Sequence, residues 1–237
     1  MNKTVLVTGA AKRIGKQIAL MLGRHSFNVI VHYNTSESDA YKTKNEIKGY
    51  NSKAWLIQAD LSLESETKRL IEEAFNIDND LFGVINAASI IERADLINAE
   101  TRILDEMIAI NFKAPYIITR EFAKRTDKGV IINLLDANIY KNEMINYMPY
   151  ILSKKLLADF TMLSAKTLAP GIRVNGVAPG LILTKTKEDE KIFERLTAKL
   201  PLKQSGSPID VANTVKFILD NNYITGEIIN VDGGLHI

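Results

Sequence analysis

The sequence predicts an α/β fold, a doubly wound parallel sheet of about seven strands with helices on both faces. Three observations carry this expectation. Short apolar, β-branched runs alternate with longer amphipathic stretches along all 237 residues. Most of those runs are apolar on both faces, as strands covered from both sides are. No Pro/Gly/Ser linker, internal repeat or low-complexity tract divides the chain, so a single domain over 1–237 is expected.

The elements follow in order. Thr4–Thr8 is the first strand; after a glycine-flanked turn, Ile14, Ile18 and Leu22 recur at four-residue spacing and mark one helical stripe. Val29–Tyr33, Ala54–Gln58 and Gly83–Asn86 read as strands, with helices over Ser38–Lys48 and Ser62–Phe75 between them. A long helical stretch covers Ala99–Arg125 and leads to a fifth strand, Val130–Leu134. Pro149 suits a first helical turn and Ala169-Pro170-Gly171 a helix stop, which bounds a helix over Pro149–Leu168. Arg173–Val177, a helix over Pro208–Leu219 and Glu227–Val231 complete the pattern. Strand–helix–strand alternation of this kind implies right-handed crossovers. Leu181–Leu200, rich in Lys, Thr and Glu, reads as a substrate lid or a solvated helix.

Composition narrows the function. Hydrophobic residues make up 46% and charged residues 24%, ordinary globular values. Thirty basic against 28 acidic side chains leave a net charge of +2, which gives no reason to expect nucleic acid or an anionic membrane. The absence of cysteine excludes disulfides and thiolate chemistry. His25, His32 and His236 lie far apart, so no metal site is expected. Met1–Thr8 carries no signal-peptide pattern, and the longest nearly apolar run, Leu81–Ile91, is too short for a bilayer. A cytoplasmic protein is the expectation.

Two places carry chemistry. The first is the turn Thr8-Gly9-Ala10-Ala11-Lys12-Arg13-Ile14-Gly15, a strand–turn–helix with glycines at both ends. Such a turn lets the backbone approach a pyrophosphate seated on helix N–H groups, although the G-x-G-x-x-G spacing is absent. Strand two ends in His32-Tyr33-Asn34-Thr35-Ser36, without the acid that accepts from an NAD ribose. Arg13, in the turn, suits a 2′-phosphate through paired charge-assisted bonds. NADPH is therefore expected over NADH. The second place is Tyr150-Ile151-Leu152-Ser153-Lys154. Residues i and i+4 share a helix face, and an ammonium beside a phenol favours the phenolate, which brings it toward useful proton transfer.

Taken with Asn133, Asp136 and the Arg173–Gly180 segment, these motifs make the chain resemble the short-chain dehydrogenase/reductase family, from residue 4 to the C-terminus. The resemblance implies a Rossmann-type fold, NADP as cofactor and a homo-oligomer, dimer or tetramer, built through helices in Asn111–Arg125 and Pro149–Leu168. It implies that Gly9, Arg13, Ile14 and Gly15 hold the phosphates, with His32, Tyr33, Asn34 and Ser36 near the adenosine ribose. Asp60 and Leu61 flank the adenine; Asn86, Ala87 and Ala88 line the middle of the cofactor. Pro179, Gly180 and Thr184 flank the nicotinamide. By the same resemblance, Tyr150 donates a proton as hydride arrives, Lys154 holds the nicotinamide ribose and lowers the Tyr150 pKa, and Asn111 supports a water path.

The departures from the family pattern are specific. Arg13 replaces the middle glycine of the turn, Ala87 an asparagine, Ser89 a glycine, and Asp136 the usual catalytic serine. An ionised Asp136 only accepts, and its charge opposes Lys154 at Tyr150, so activity requires a protonated Asp136 or a substrate that presents a donor. A ring with nitrogens meets that demand. Arg13, Ser36 and Asp136 with Tyr150/Lys154 resemble the pteridine reductases of the family. Against this, Ile90-Ile91 stands where those enzymes place a stacking aromatic. Ser89, Ile91, Tyr147 and Leu181, with Met144, are the candidate substrate walls. A carbonyl reductase, such as a 3-oxoacyl-carrier-protein or small-ketone reductase, stays open, as does an NADPH-binding interaction protein with little turnover. Asp136 also has a plain alternative, a loop-start residue bonding nearby backbone N–H groups.

Overall fold

The computed structural model describes residues 2–97, 99–182 and 188–237. The elements in chain order are β1 (Thr4–Val7), α1 (Arg13–Arg24), β2 (Asn28–Tyr33), α2 (Glu37–Lys48), β3 (Ala54–Gln58), α3 (Glu64–Ile77), β4 (Gly83–Asn86), α4 (Thr101–Ile108), α5 (Ala114–Ala123), β5 (Gly129–Leu134), α6 (Met148–Leu168), β6 (Ile172–Pro179), α7 (Glu188–Thr197), α8 (Pro208–Asp220) and β7 (Ile228–Val231). The strands form one sheet in the order β3-β2-β1-β4-β5-β6-β7, every pair parallel. The chain runs outward from β1 to β3, then returns to place β4 on the other side of β1. That reversal opens a crevice beyond the carboxyl ends of β1 and β4, where α/β sheets bind ligands.

Alternation along each strand explains why the runs are apolar throughout. Val5 and Val7 face one side with Ile18, Leu22, Val29, Val31, Val215 and Ile218. Leu6 faces the other with Ile30, Leu70, Ile71, Val84 and Phe122. A central strand with two buried faces has no polar register to show.

Two local features differ from expectation. The stretch Ala99–Arg125 is not one α-helix: a π turn at Ala109–Lys113 joins α4 to α5. Pro115 follows it, and a proline has no N–H for the carbonyl four residues back, here that of Asn111. A short 3-10 turn, Ala137–Tyr140, follows β5 and is capped by Asp136. Leu181–Leu200, read as a lid or a solvated helix, contains the helix α7; Thr184, in 183–187, lies outside the described residues. Among the described residues no helix is long and apolar enough to cross a membrane.

Candidate active site

The turn after β1 is packed against the loop after β4. Gly9 has φ +64°, and a Cβ there would stand 2.8 Å from the Cα of Ala88. At Gly15 a Cβ would stand 2.3 Å from the Gly9 carbonyl oxygen. Thr8 Oγ1 accepts the N–H groups of Ala87 and Ala88 at 2.9 and 3.0 Å, which locks the two loops together. Arg13 keeps a left-handed backbone, φ +54°, and is exposed at the crevice mouth. Beside it Lys12 Nζ meets Asp39 of α2 at 3.0 Å.

His32 lines the crevice over this turn, and its ring is engaged within the protein. It is buried, Gly9 N–H donates to its Nδ1 at 3.0 Å, and its Nε2 bonds the Ala59 carbonyl at 3.0 Å. The acceptor role of Nδ1 puts the proton on Nε2. Burial pushes the His32 pKa down to about 4. The ring is committed to bracing the β1 turn against the end of β3, which leaves neither nitrogen for a cofactor.

A crevice of about 610 Å³ runs over this turn, lined by Gly9, Arg13, Gly15, Asp60, Ala88 and Tyr150 among others. Ile14, Asn34, Leu61, Ala87, Ser89 and Ile91 also border it, whereas Tyr33, Ser36, Asn86, Pro179 and Gly180 do not. Asp60 Oδ1 accepts from the N–H and hydroxyl of Ser62 at 2.9 and 2.7 Å and so starts the turn into α3. Asn86 is buried; its amide donates to Asn133 Oδ1 at 2.8 Å, and Asn133 in turn to Thr161 at 2.9 Å. Asn86 Oδ1 has no protein partner. Gly180 closes on β7, where a Cβ would stand 2.7 Å from Asp232 Cα. A cradle without room for side chains and a cation at its mouth fit a phosphorylated dinucleotide.

Tyr150 sits in the first turn of α6 and Lys154 one turn further on, both buried. Lys154 Nζ donates to the Leu134 carbonyl at 2.8 Å and lies 5.9 Å from the centre of the Tyr150 ring. The Tyr150 hydroxyl donates to Asp136 Oδ2 at 2.8 Å. The other oxygen, Oδ1, accepts the main-chain N–H and the side-chain amide of Asn138, both at 2.8 Å. One oxygen of Asp136 thus meets Tyr150 and the other caps the turn after β5.

Asn111 lies in the π turn with its side chain fully used. Oδ1 accepts from Ile90 N–H at 2.9 Å and the Ser89 hydroxyl at 3.1 Å; Nδ2 donates to the Ile90 carbonyl at 2.9 Å and Ser153 Oγ at 3.0 Å. Ser153 donates to the Tyr150 carbonyl at 2.6 Å. The Asn111 side chain thus fixes the loop after β4 against the Tyr150 turn.

The electrostatics correct the expectation for Tyr150. Burial is the largest effect, and the charge and hydrogen bond of Asp136 add to it; together they hold the phenol well above its ordinary pKa. Burial brings Lys154 down to about 8, with Asp136 opposing. The ammonium one turn away does not outweigh these effects, so Tyr150 rests as a protonated acid.

Next to this group is a second cavity, about 510 Å³, walled by Met144, Tyr147, Leu181, Leu196 and Leu200, with Asn138 at its edge. Ile90, Ile91, Met144 and Tyr147 pack with Tyr150 in one apolar cluster, and Ala94 N–H donates to the Asn146 carbonyl at 2.8 Å to join the two loops that carry them. Asn138 and Ser153 were missed as site residues. Only Asn138 had a local signal, its place two residues after an Asp at a turn start.

Residues 9–236 match the family described as enoyl-(acyl carrier protein) reductase. The 3-oxoacyl-[acyl-carrier-protein] reductase FabG of Staphylococcus epidermidis is 32% identical over 246 aligned residues, which covers 100% of both chains. Among solved structures, FolM alternative dihydrofolate reductase 1 from Brucella suis in complex with NADP superposes with a TM-score of 0.93 and 33% identity, over 99% of this chain and 95% of that one. A blue fluorescent protein from a metagenomic library in complex with NADPH gives 0.93 and 28% identity, over 99% and 98%.

Proposed function

Because the chain belongs to the short-chain dehydrogenase/reductase family of oxidoreductases, we propose that it is an NADPH-dependent reductase acting on a dihydropteridine-type ring. The observation that carries this reading is the Tyr150 hydroxyl bonded to Asp136 on the wall of the Gly9–Arg13 crevice. Gly9, Gly15 and Arg13 would hold NADPH, which supplies the hydride when bound. Arg13 would take the 2′-phosphate, and Lys154 has N–H donors left for the nicotinamide ribose. Tyr150, kept protonated by burial and Asp136, delivers its proton to the substrate atom beside the reduced carbon. Asp136 stays an acceptor and favours a substrate with N–H groups over a bare ketone. The apolar faces of Ile91, Met144 and Tyr147 suit a flat ring, and the solved FolM relative bears a dihydrofolate reductase name.

The second reading, a 3-oxoacyl thioester reductase, is favoured by the full-length match to FabG. One assay separates them: cofactor oxidation with dihydrobiopterin, dihydrofolate or an acetoacetyl thioester. Turnover of the dihydropteridines that fails in Asp136→Ser supports the ring substrate. Turnover of the thioester alone, kept or improved in Asp136→Ser, replaces that reading with the second. Binding of NADPH without oxidation by any of the three would leave only a cofactor-binding role.

A further inference from the structure

We propose that Asn138 is a positioning residue for proton transfer, holding Asp136 so that Oδ2 alone faces Tyr150. A carboxylate turns about its Cβ–Cγ bond, and its two oxygens are equivalent until neighbours distinguish them. Here one residue distinguishes them. The main-chain N–H and the side-chain amide of Asn138 both reach Oδ1 at 2.8 Å, and Oδ2 receives the Tyr150 hydroxyl at 2.8 Å. The 3-10 turn Ala137–Tyr140 makes this possible, because it brings residue i+2 back over its own cap. A serine after β5 would need no such clamp, since a single hydroxyl has no second oxygen to park. Asn138 also borders the Met144–Tyr147 cavity. Without the side-chain donor, Oδ1 keeps one weaker tether and Asp136 is free to turn toward the cavity and leave Tyr150.

Asn138→Asp provides the sharp test, because it keeps the shape and suits the first turn of a helix as well as asparagine does. A merely structural role predicts a silent variant. The positioning role predicts a kcat at least about tenfold lower with unchanged KM for NADPH. That loss should deepen with rising pH, as two facing carboxylates both ionise, and shrink at acid pH. Asn138→Ser, which restores a neutral donor, should recover part of the rate that Asn138→Ala loses. An Asn138→Asp rate equal to wild type across the pH range overturns the proposal.

These kinetic arms rest on the reductase reading, so crystal structures of wild type and Asn138→Asp supply an arm that needs no turnover. The proposal expects Asp136 within hydrogen-bond distance of Tyr150 in the first and turned away in the second. Asp136 in the same place in both overturns it, even if no substrate is ever turned over. A wild type without turnover in which that pair of structures differs as expected sinks the reductase reading alone.

Discussion

Asp136 and Arg13 each stand where the family pattern has a smaller residue, and each changes what the site asks of its ligand. Asp136 raises the Tyr150 pKa, so its removal has a signed consequence. In Asp136→Asn the phenol ionises at lower pH, and the alkaline limb of the pH–rate profile, where the acid form of Tyr150 is lost, moves down. A limb left in place would show that Asp136 does not act on Tyr150. Arg13 holds a left-handed backbone at a strain cost of order 1 kcal/mol, a cost with no purpose unless the guanidinium is used. Arg13→Gly should weaken NADPH binding by about tenfold or more and leave NADH binding unchanged, with no loss of melting temperature. Equal NADPH affinity in the two proteins, measured by fluorescence titration, would remove the phosphate argument.

The elements meet at His32, which ties the turn after β1 to the end of β3. Its folded pKa of about 4 lies below the ordinary 6.5, so the unfolded chain binds the proton more readily. The associated stability is complete above pH 6.5 and is lost as pH falls toward 4, about 3 kcal/mol in all. Urea unfolding at pH 7.5 and 5 should show that fall in wild type and lack it in His32→Gln; identical slopes would refute it. His32 also shows where the sequence stops being legible. All seven strands lie within two residues of their expected ends, because two-sided burial leaves unbroken apolar runs. Tyr150, Gly9 and Arg13 come to one crevice because each sits at a fixed offset from a strand end. The His32 ring and the saturated Asn111 amide depend on partners many residues away, which no local pattern encodes. The π turn was legible in principle from Pro115, but a continuous apolar period concealed it. Tyr150 was misjudged because helical spacing reveals the lysine one turn away and says nothing of how deeply both groups are buried.

At the scale of the whole molecule, the β1/β4 switch point opens the crevice, and α6 carries Tyr150 to its rim. The opposite face of α6 forms a groove with α5, lined by Tyr116, Thr119, Ala123, Phe160, Leu163 and Leu168, with Leu163 67% exposed. Those are the helices through which a homo-oligomer is expected. Sedimentation should find wild type larger than a monomer and Leu163→Glu smaller than wild type, since a carboxylate buried in an apolar interface costs several kcal/mol; a monomeric wild type would contradict this assembly. The proposed reduction depends on Tyr150 giving the proton while the cofactor gives the hydride. It is tested most directly by NADPH oxidation with dihydrobiopterin in wild type and Tyr150→Phe, with NADPH affinity measured in both. The predicted result is a rate at least about a hundredfold lower in Tyr150→Phe at unchanged NADPH affinity. An undiminished rate in Tyr150→Phe would contradict it.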